Sequence, residues 1–326
     1  MSINWRALHG DFFDGVRVLV TGGAGFIGAH LCTGLSELGA RVTVLDDLSG
    51  GQSENLAGLA NVEFVKGSIL DQTLLAKVTN GCRFVLHQGA LGSVPRSVAE
   101  PRLFQEVNVT GTVNVLEAAR AAKVSRVTFA ASSSAYGDSE TLPKIETMPT
   151  SAKSPYAANK IAGEALMTAY AGSYGLDTAA LRYFNIFGPK QNANSAYAAV
   201  IAAFAKSLLA GERPVIFGDG EQSRDFTYVD NVVHANLLAL KSERPIGGVP
   251  INIACGRRIS VNQLAERMAA AVGRTDLLPV HKPERAGDVK HSLADLARAE
   301  MLLGYEPITG FEDGLAATMK WYAATK

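Results

Sequence analysis

The sequence has few cysteines, no excess of either charge and no long apolar run. Its three cysteines, Cys32, Cys82 and Cys255, are scattered through 326 residues without metal-ligand spacing, which leaves no disulfide framework and suits a reducing cytoplasm. No metal site is expected. Lysine plus arginine number 31 and aspartate plus glutamate 31, so there is neither the basic footprint of a nucleic-acid binder nor a polybasic patch for a membrane. No stretch approaches the roughly 20 apolar residues of a spanning helix, and the N-terminus lacks the apolar run of a secretory signal. Repeats and low-complexity segments are missing too. What remains is a soluble, cytoplasmic chain long enough for two lobes, since a single core stops growing at roughly 250–300 residues.

What is present starts with Val18-Leu-Val-Thr-Gly-Gly-Ala-Gly-Phe-Ile-Gly28, an apolar strand running into a glycine-punctuated turn and then a helix. Gly22 takes backbone angles closed to other residues, Gly25 lets the chain approach a pyrophosphate, and Gly28 lets helix pack on strand. The free N–H groups opening that helix would face the phosphates. An ordinary strand-turn-helix is the plain alternative. A second strand, Arg41-Val-Thr-Val-Leu-Asp-Asp47, follows at the interval of a βαβ unit and favours the dinucleotide. Asp46 sits where a carboxylate accepts from the adenosine ribose, and Asp46 with Asp47 would repel a 2′-phosphate, so the cofactor expected is NAD.

The rest of the chain alternates strand and helix. Strands are expected at 62–66, 82–87, 126–131 and 177–182, with helices at 26–38, at 109–122 opened by Asn108, and from Ser154-Pro155 to 174. That order predicts a Rossmann-type, doubly wound parallel sheet in an α/β protein. Ser68 and Ile69, after the third strand, would lie beside the adenine, and Ser132-Ser-Ser134 ends the fifth strand at the ligand crevice. Beyond Gly188 the pattern loosens, with helices at 197–210, 229–240, 261–272, 293–303 and 311–324. Residues 1–185, with 226–256 returning to the sheet, read as the NAD-binding domain; 186–225 and 257–326 read as a smaller C-terminal α/β lobe for substrate. Trp5, Leu8, Phe12 and Phe13 make the N-terminal segment either a packed helical extension or a partly ordered leader.

Tyr156 and Lys160 are four apart and share a helix face. A lysine ammonium and a positive nicotinamide both favour phenolate over phenol, moving a tyrosine from its reference near ~10 toward neutrality. Such a phenolate can take a sugar hydroxyl proton while hydride leaves the same carbon. A plain helix face explains a Tyr-x-x-x-Lys by itself; the dinucleotide turn and the serine cluster upstream tip the reading to catalysis. A serine hydroxyl both donates and accepts, which suits a carbinol that alternates with a ketone.

Taken together, Thr21-Gly-Gly-Ala-Gly-Phe-Ile-Gly28, the Ser132 cluster with Tyr136-Gly-Asp138, Pro155-Tyr-Ala-Ala-Asn-Lys160, Arg182-Tyr-Phe-Asn-Ile-Phe-Gly188 and Gly218-Asp-Gly-Glu-Gln-Ser-Arg-Asp-Phe226 resemble the extended short-chain dehydrogenase/reductases acting on nucleotide sugars. Within that family, residues 87–97 and 285–295 look most like the bacterial UDP-N-acetylhexosamine 4-epimerases. The resemblance implies Tyr156 as base, Lys160 on the nicotinamide ribose and Ser132 on the sugar O4. It implies cofactor contacts from Phe26, Ile27, Gln88, Ala90, Asn108 and Tyr183 as well. On the substrate side it implies Ser93, Ser133, Ser134, Val200 and Asp288 around the sugar nucleotide, Asn185 at the diphosphate, and Arg224 and Arg285 clamping it. Val215 and Phe217 would flank the uracil. Surface ion pairing remains the alternative for the two arginines, and core packing for Phe217.

Two departures bear on the reaction. Sugar-nucleotide 4,6-dehydratases carry an Asp-Glu pair where this chain has Ser133 and Ser134, so elimination lacks its carboxylates. Epimerases restricted to plain glucose and galactose commonly have tyrosine at the position of Ser292; serine leaves room for an N-acetyl group, and it also reads as a helix N-cap before Leu293. The cycle implied moves hydride from sugar C4 to NAD, turns the 4-ketose about its diphosphate and returns hydride to the other face. Helices 109–122 and 156–174 match those that pair across a two-fold axis in the family, which implies a homodimer. Other readings are a dehydratase, uronic acid epimerase or reductase of the same fold, or a sensor that binds NAD without catalysis.

Overall fold

The computed structural model describes residues 3–193, 199–284 and 290–325. Ahead of the sheet, α1 (Trp5–His9) packs as a helical extension, with Trp5, His9 and Phe13 buried. The strand β1 (Arg17–Thr21) sends Val18 and Val20 to one face of the sheet and Leu19 to the other, all three fully buried. Successive side chains point to opposite faces of a strand, so burial on both faces requires helices on both. Burying each such side chain contributes about 1.5–3 kcal/mol.

The helix α2 (Phe26–Glu37) and strand β2 (Arg41–Asp46) complete the first unit, followed by β3 (Val62–Lys66), α3 (Gln72–Thr79) and β4 (Phe84–His87). Then come α4 (Val94–Ala99), α5 (Pro101–Gln105), a π turn (Glu106–Thr110) and α6 (Gly111–Ala121), leading to β5 (Arg126–Ser132), α7 (Pro155–Tyr174) and β6 (Thr178–Tyr183). The remainder holds β7 (Ile186–Phe187), α8 (Val200–Leu209), β8 (Val215–Phe217), β9 (Ser223–Asp225), β10 (Thr227–Tyr228), α9 (Val229–Lys241) and β11 (Pro250–Ile253). The chain closes with β12 (Arg258–Ser260), α10 (Val261–Ala271), β13 (Val280–Lys282), α11 (Ala297–Leu303) and α12 (Phe311–Ala324).

Seven parallel strands pair in the order β11-β6-β5-β4-β1-β2-β3. The order reverses between β1 and β4, the switch point at which ligands bind in such sheets. Leu31 and Leu35 of α2 with Val233 and Leu237 of α9 cover one face, and Val115, Leu116 and Met167 of α6 and α7 cover the other. A separate cluster joins α8, β8, α10 and α12 through Phe204, Ile216, Leu264, Met268 and Met319. Among the described residues, no helix is long and apolar enough to cross a membrane.

Three local expectations are corrected. Asn108 does not open a helix: the chain is already helical from Pro101, and Asn108 lies inside the π turn, where its side chain bonds the Leu91 backbone instead of capping. Ser292 is not an N-cap, because α11 begins at Ala297; the Ser292 N–H donates to the Ser223 carbonyl and fixes an extended segment instead. The strand expected from Cys82 starts at Phe84. Part of the expected 197–210 helix, together with Arg285 and Asp288, lies outside the described residues.

Candidate active site

Two adjoining clefts open at the carboxyl ends of the strands, and Asn185 and Ile186 line both. The first, of about 610 Å³, is walled by Gly22, Gly25, Phe26, Ile27 and Gly28, by Asp46 and Ile69, and by Gln88 and Ala90. Ser132, Ser133, Tyr156, Lys160 and Tyr183 close its inner end. Of the residues expected at a cofactor, Ser68 and Asn108 stand outside this lining. The Ser68 hydroxyl accepts from Leu70 N–H, and the Asn108 amide is held by Leu91.

The glycine turn is shaped by backbone contact. Gly22 has φ +68°, and a Cβ there would stand 2.6 Å from the Gly89 nitrogen; one at Gly28 would stand 2.2 Å from the Gly22 carbonyl oxygen. Only glycine fits either place. Gly25 precedes α2 with no side-chain cap and no acidic residue in the first turn, which leaves the opening N–H groups free for an anion. The Asp46 carboxylate accepts from Ala24 N–H at 3.0 Å and Leu48 N–H at 2.8 Å, so it is fixed in place, and burial raises its pKa. Tyr183 and Gln88 bond one another across the cleft at 3.2 Å.

At the inner end, β5 delivers Ser132 and α7 delivers Tyr156 and Lys160. The helix starts where it does because the Ser154 hydroxyl accepts from Ala157 N–H at 3.2 Å and Pro155 needs no acceptor. The Ser132 hydroxyl accepts from Ser134 N–H at 3.2 Å and lies beside the Tyr156 phenol, whose pKa it lowers. Lys160 is buried, donates to the Ala130 carbonyl at 2.7 Å, and lies 5.8 Å from the centre of the Tyr156 ring. Burial lowers its pKa to about 8, against the raising charge of Glu164 one turn on, which is itself bound to Arg182 at 2.7 Å. Burial raises the Tyr156 pKa, and the neighbouring Ser132 hydroxyl opposes that shift. Lys160 is not among the groups that move this phenol, so the protein alone, without the nicotinamide charge the expectation also invoked, does not draw it toward neutrality.

The second cleft, of about 860 Å³, is lined by Asn185, Val200, Val215, Phe217 and Arg224, and by Pro95, Lys206, Ser207 and Gln222, which sequence reasoning missed. Lys206 is the lone charge of α8, a pattern that could have singled it out. Asn185 holds φ +40°, a conformation that costs about 1–3 kcal/mol for a residue other than glycine. Its amide donates to the Asp225 carbonyl at 3.0 Å and to the Ser292 hydroxyl at 3.1 Å, which fixes Ser292 beside the junction of the clefts. Ser93 caps α4 by accepting from Arg96 N–H, and the Ser134 hydroxyl is buried with no partner among the described residues.

Residues 18–254 match the model of the NAD dependent epimerase/dehydratase family. The chain belongs to that family. The UDP-glucose 4-epimerase of Mycolicibacterium smegmatis is 40% identical to this family member over 94% of this chain and 98% of its own length. The structure resembles that of the UDP-N-acetylglucosamine 4-epimerase from Methanobrevibacter ruminantium in complex with UDP-N-acetylmuramic acid, with a TM-score of 0.92 and 39% identity, covering 96% of this chain and 100% of that one. It is also similar to UDP-glucose 4-epimerase with UDP-glucose from Thermotoga maritima, with a TM-score of 0.90 and 38% identity over 95% and 99% of the two chains. As a family member the protein uses NAD, and the uncapped α2 terminus, the Cβ-free turn and the fixed Asp46 carboxylate suit a dinucleotide. Among the described residues, no group of side chains could hold a metal.

Proposed function

We propose that the protein is a UDP-hexose 4-epimerase that interconverts UDP-N-acetylglucosamine and UDP-N-acetylgalactosamine, with UDP-glucose and UDP-galactose as further substrates. The observation that carries this reading is the convergence of Ser132, Tyr156 and Lys160 at the inner end of the NAD cleft, with the Lys160 ammonium 5.8 Å from the centre of the Tyr156 ring. NAD, when bound, supplies a hydride acceptor that can also give the hydride back. Tyr156 takes the proton of the sugar 4-hydroxyl and returns it, Ser132 holds that oxygen in both its carbinol and carbonyl forms, and Lys160 adds positive charge that favours the phenolate. Asn185, Arg224 and Arg285 would hold the diphosphate by charge-assisted bonds, while Val215 and Phe217 flank the base. Residues 186–225 and 257–326 act in this reading as the nucleotide-sugar lobe on the NAD-binding domain, and two chains form a homodimer.

The acetylated substrate is favoured by Ser292, a small residue held next to Asn185. Hydroxyls at Ser133 and Ser134, in place of carboxylates, argue against elimination of water. Incubation with UDP-N-acetylglucosamine should yield UDP-N-acetylgalactosamine. A 4-keto-6-deoxy product, or none, would refute the proposal.

A further inference from the structure

Beneath the NAD cleft runs a buried chain of hydrogen bonds that takes no part in the chemistry above. The Thr112 hydroxyl donates to the Asn108 carbonyl at 2.6 Å, which uses its only proton. His87 Nε2, 3.0 Å away, must then donate to Thr112, so the imidazole carries its proton on Nε2. Nδ1 is left as an acceptor, and Thr21 donates to it at 2.7 Å. The Thr21 oxygen in turn accepts from Gly89 N–H at 3.2 Å. Every proton in the chain has one direction.

Both ends hold the same loop. Gly89 N–H is tied to Thr21, the residue just before the phosphate turn, and its backbone lies against Gly22, where a Cβ would meet it. Leu91 is clamped at both its N–H and its carbonyl by Asn108, whose own carbonyl ends the chain from His87. Gln88, Gly89, Ala90, Leu91 and Gly92 all line the cleft. His87 itself is 1% exposed and touches no ligand space.

We propose that His87 is a positioning residue: through Thr21 and Thr112 it locks loop 88–92 against the phosphate turn and thereby sets how long the protein keeps NAD. Burial, with the charge of Lys160 second, lowers its pKa to about 3, so the one-proton arrangement holds across working pH. A cofactor that must be both acceptor and donor within one cycle needs a slow exit. The inference rests on NAD binding and not on the identity of the sugar.

Nitrogen NMR of the intact protein should show the His87 proton on Nε2; a proton on Nδ1 overturns the proposal. Exchange of bound NAD for labelled NAD should be about tenfold faster in Thr112→Val and in Thr21→Val, the size of one lost buried hydrogen bond. Thr112→Ser, which keeps the hydroxyl, should exchange like the wild type, and turnover with added NAD at saturation should stay within about twofold in all three. A folded valine variant that keeps NAD as the wild type does would overturn the role, and so would failure of both valine variants to fold. Because the readout is NAD exchange, loss of the epimerase assignment would leave the result intact.

Discussion

At the scale of single residues, the account turns on one phenol and one ammonium. Tyr156→Phe keeps the ring and removes the proton acceptor, so kcat should fall by about 10²–10⁴ with the melting temperature unchanged; wild-type turnover would exclude Tyr156 as base. Burial lowers the Lys160 pKa to about 8. Its ammonium is present below that value and lost above it, so kcat/KM should decline as pH rises through about 8. Lys160→Arg stays charged and should abolish that decline at a reduced rate, and an unchanged alkaline limb would assign it elsewhere. Ser292→Tyr should suppress turnover of acetylated sugars more than of plain ones, since it fills the space beside Asn185; equal losses would discredit the pocket argument.

At the scale of elements, the starts of α2 and α7 matter most, because each aims functional groups into the cleft. Gly28→Ala places a Cβ 2.2 Å from the Gly22 oxygen and should abolish NAD binding by calorimetry. Ser154→Ala should cost about 1 kcal/mol in denaturant unfolding. Strands β1, β2 and β3 were legible in the sequence to within a residue, because unbroken apolar or alternating runs stop at Gly22, Asp47 and Gly67. The turn at Asn108 was not, since asparagine is a common N-cap and a π turn has no local sequence signature. Ser292 misled for the same reason: serine before an apolar residue looks like a cap, whereas its hydroxyl is engaged by Asn185 across 107 residues of chain. Most of the lining of the first cleft was readable because it follows strand ends, Ser68 and Asn108 being the exceptions. Lys206 and Gln222 were not, because packing of α8 in its own cluster brings the first to the cleft and a bond from the Gln222 amide to the Phe217 carbonyl brings the second.

At the scale of the molecule, charge and surface make separate predictions. Burial lowers the pKa of His9 and His87 to about 3 and of His30 and His234 to about 4. The unfolded chain therefore takes protons first as pH falls below the ordinary histidine value near about 6.5, and stability is lost from there toward about 3. Asp225 and Asp230, raised by burial to about 6, act in the opposite sense and offset part of the loss. The melting temperature should fall between pH 7 and 5, and a rise would contradict the buried neutral histidines. Val98, Leu103 and Tyr174 on α4, α5 and α7 are exposed apolar residues, in keeping with the homodimer proposed through α6 and α7; a monomer in sedimentation at micromolar concentration would rule it out. The most direct test follows one hydrogen atom through the whole cycle. With UDP-N-acetylglucosamine carrying deuterium at sugar C4, the UDP-N-acetylgalactosamine formed in ordinary water should keep the deuterium at C4, whereas its loss to solvent would contradict hydride transfer and return within one site.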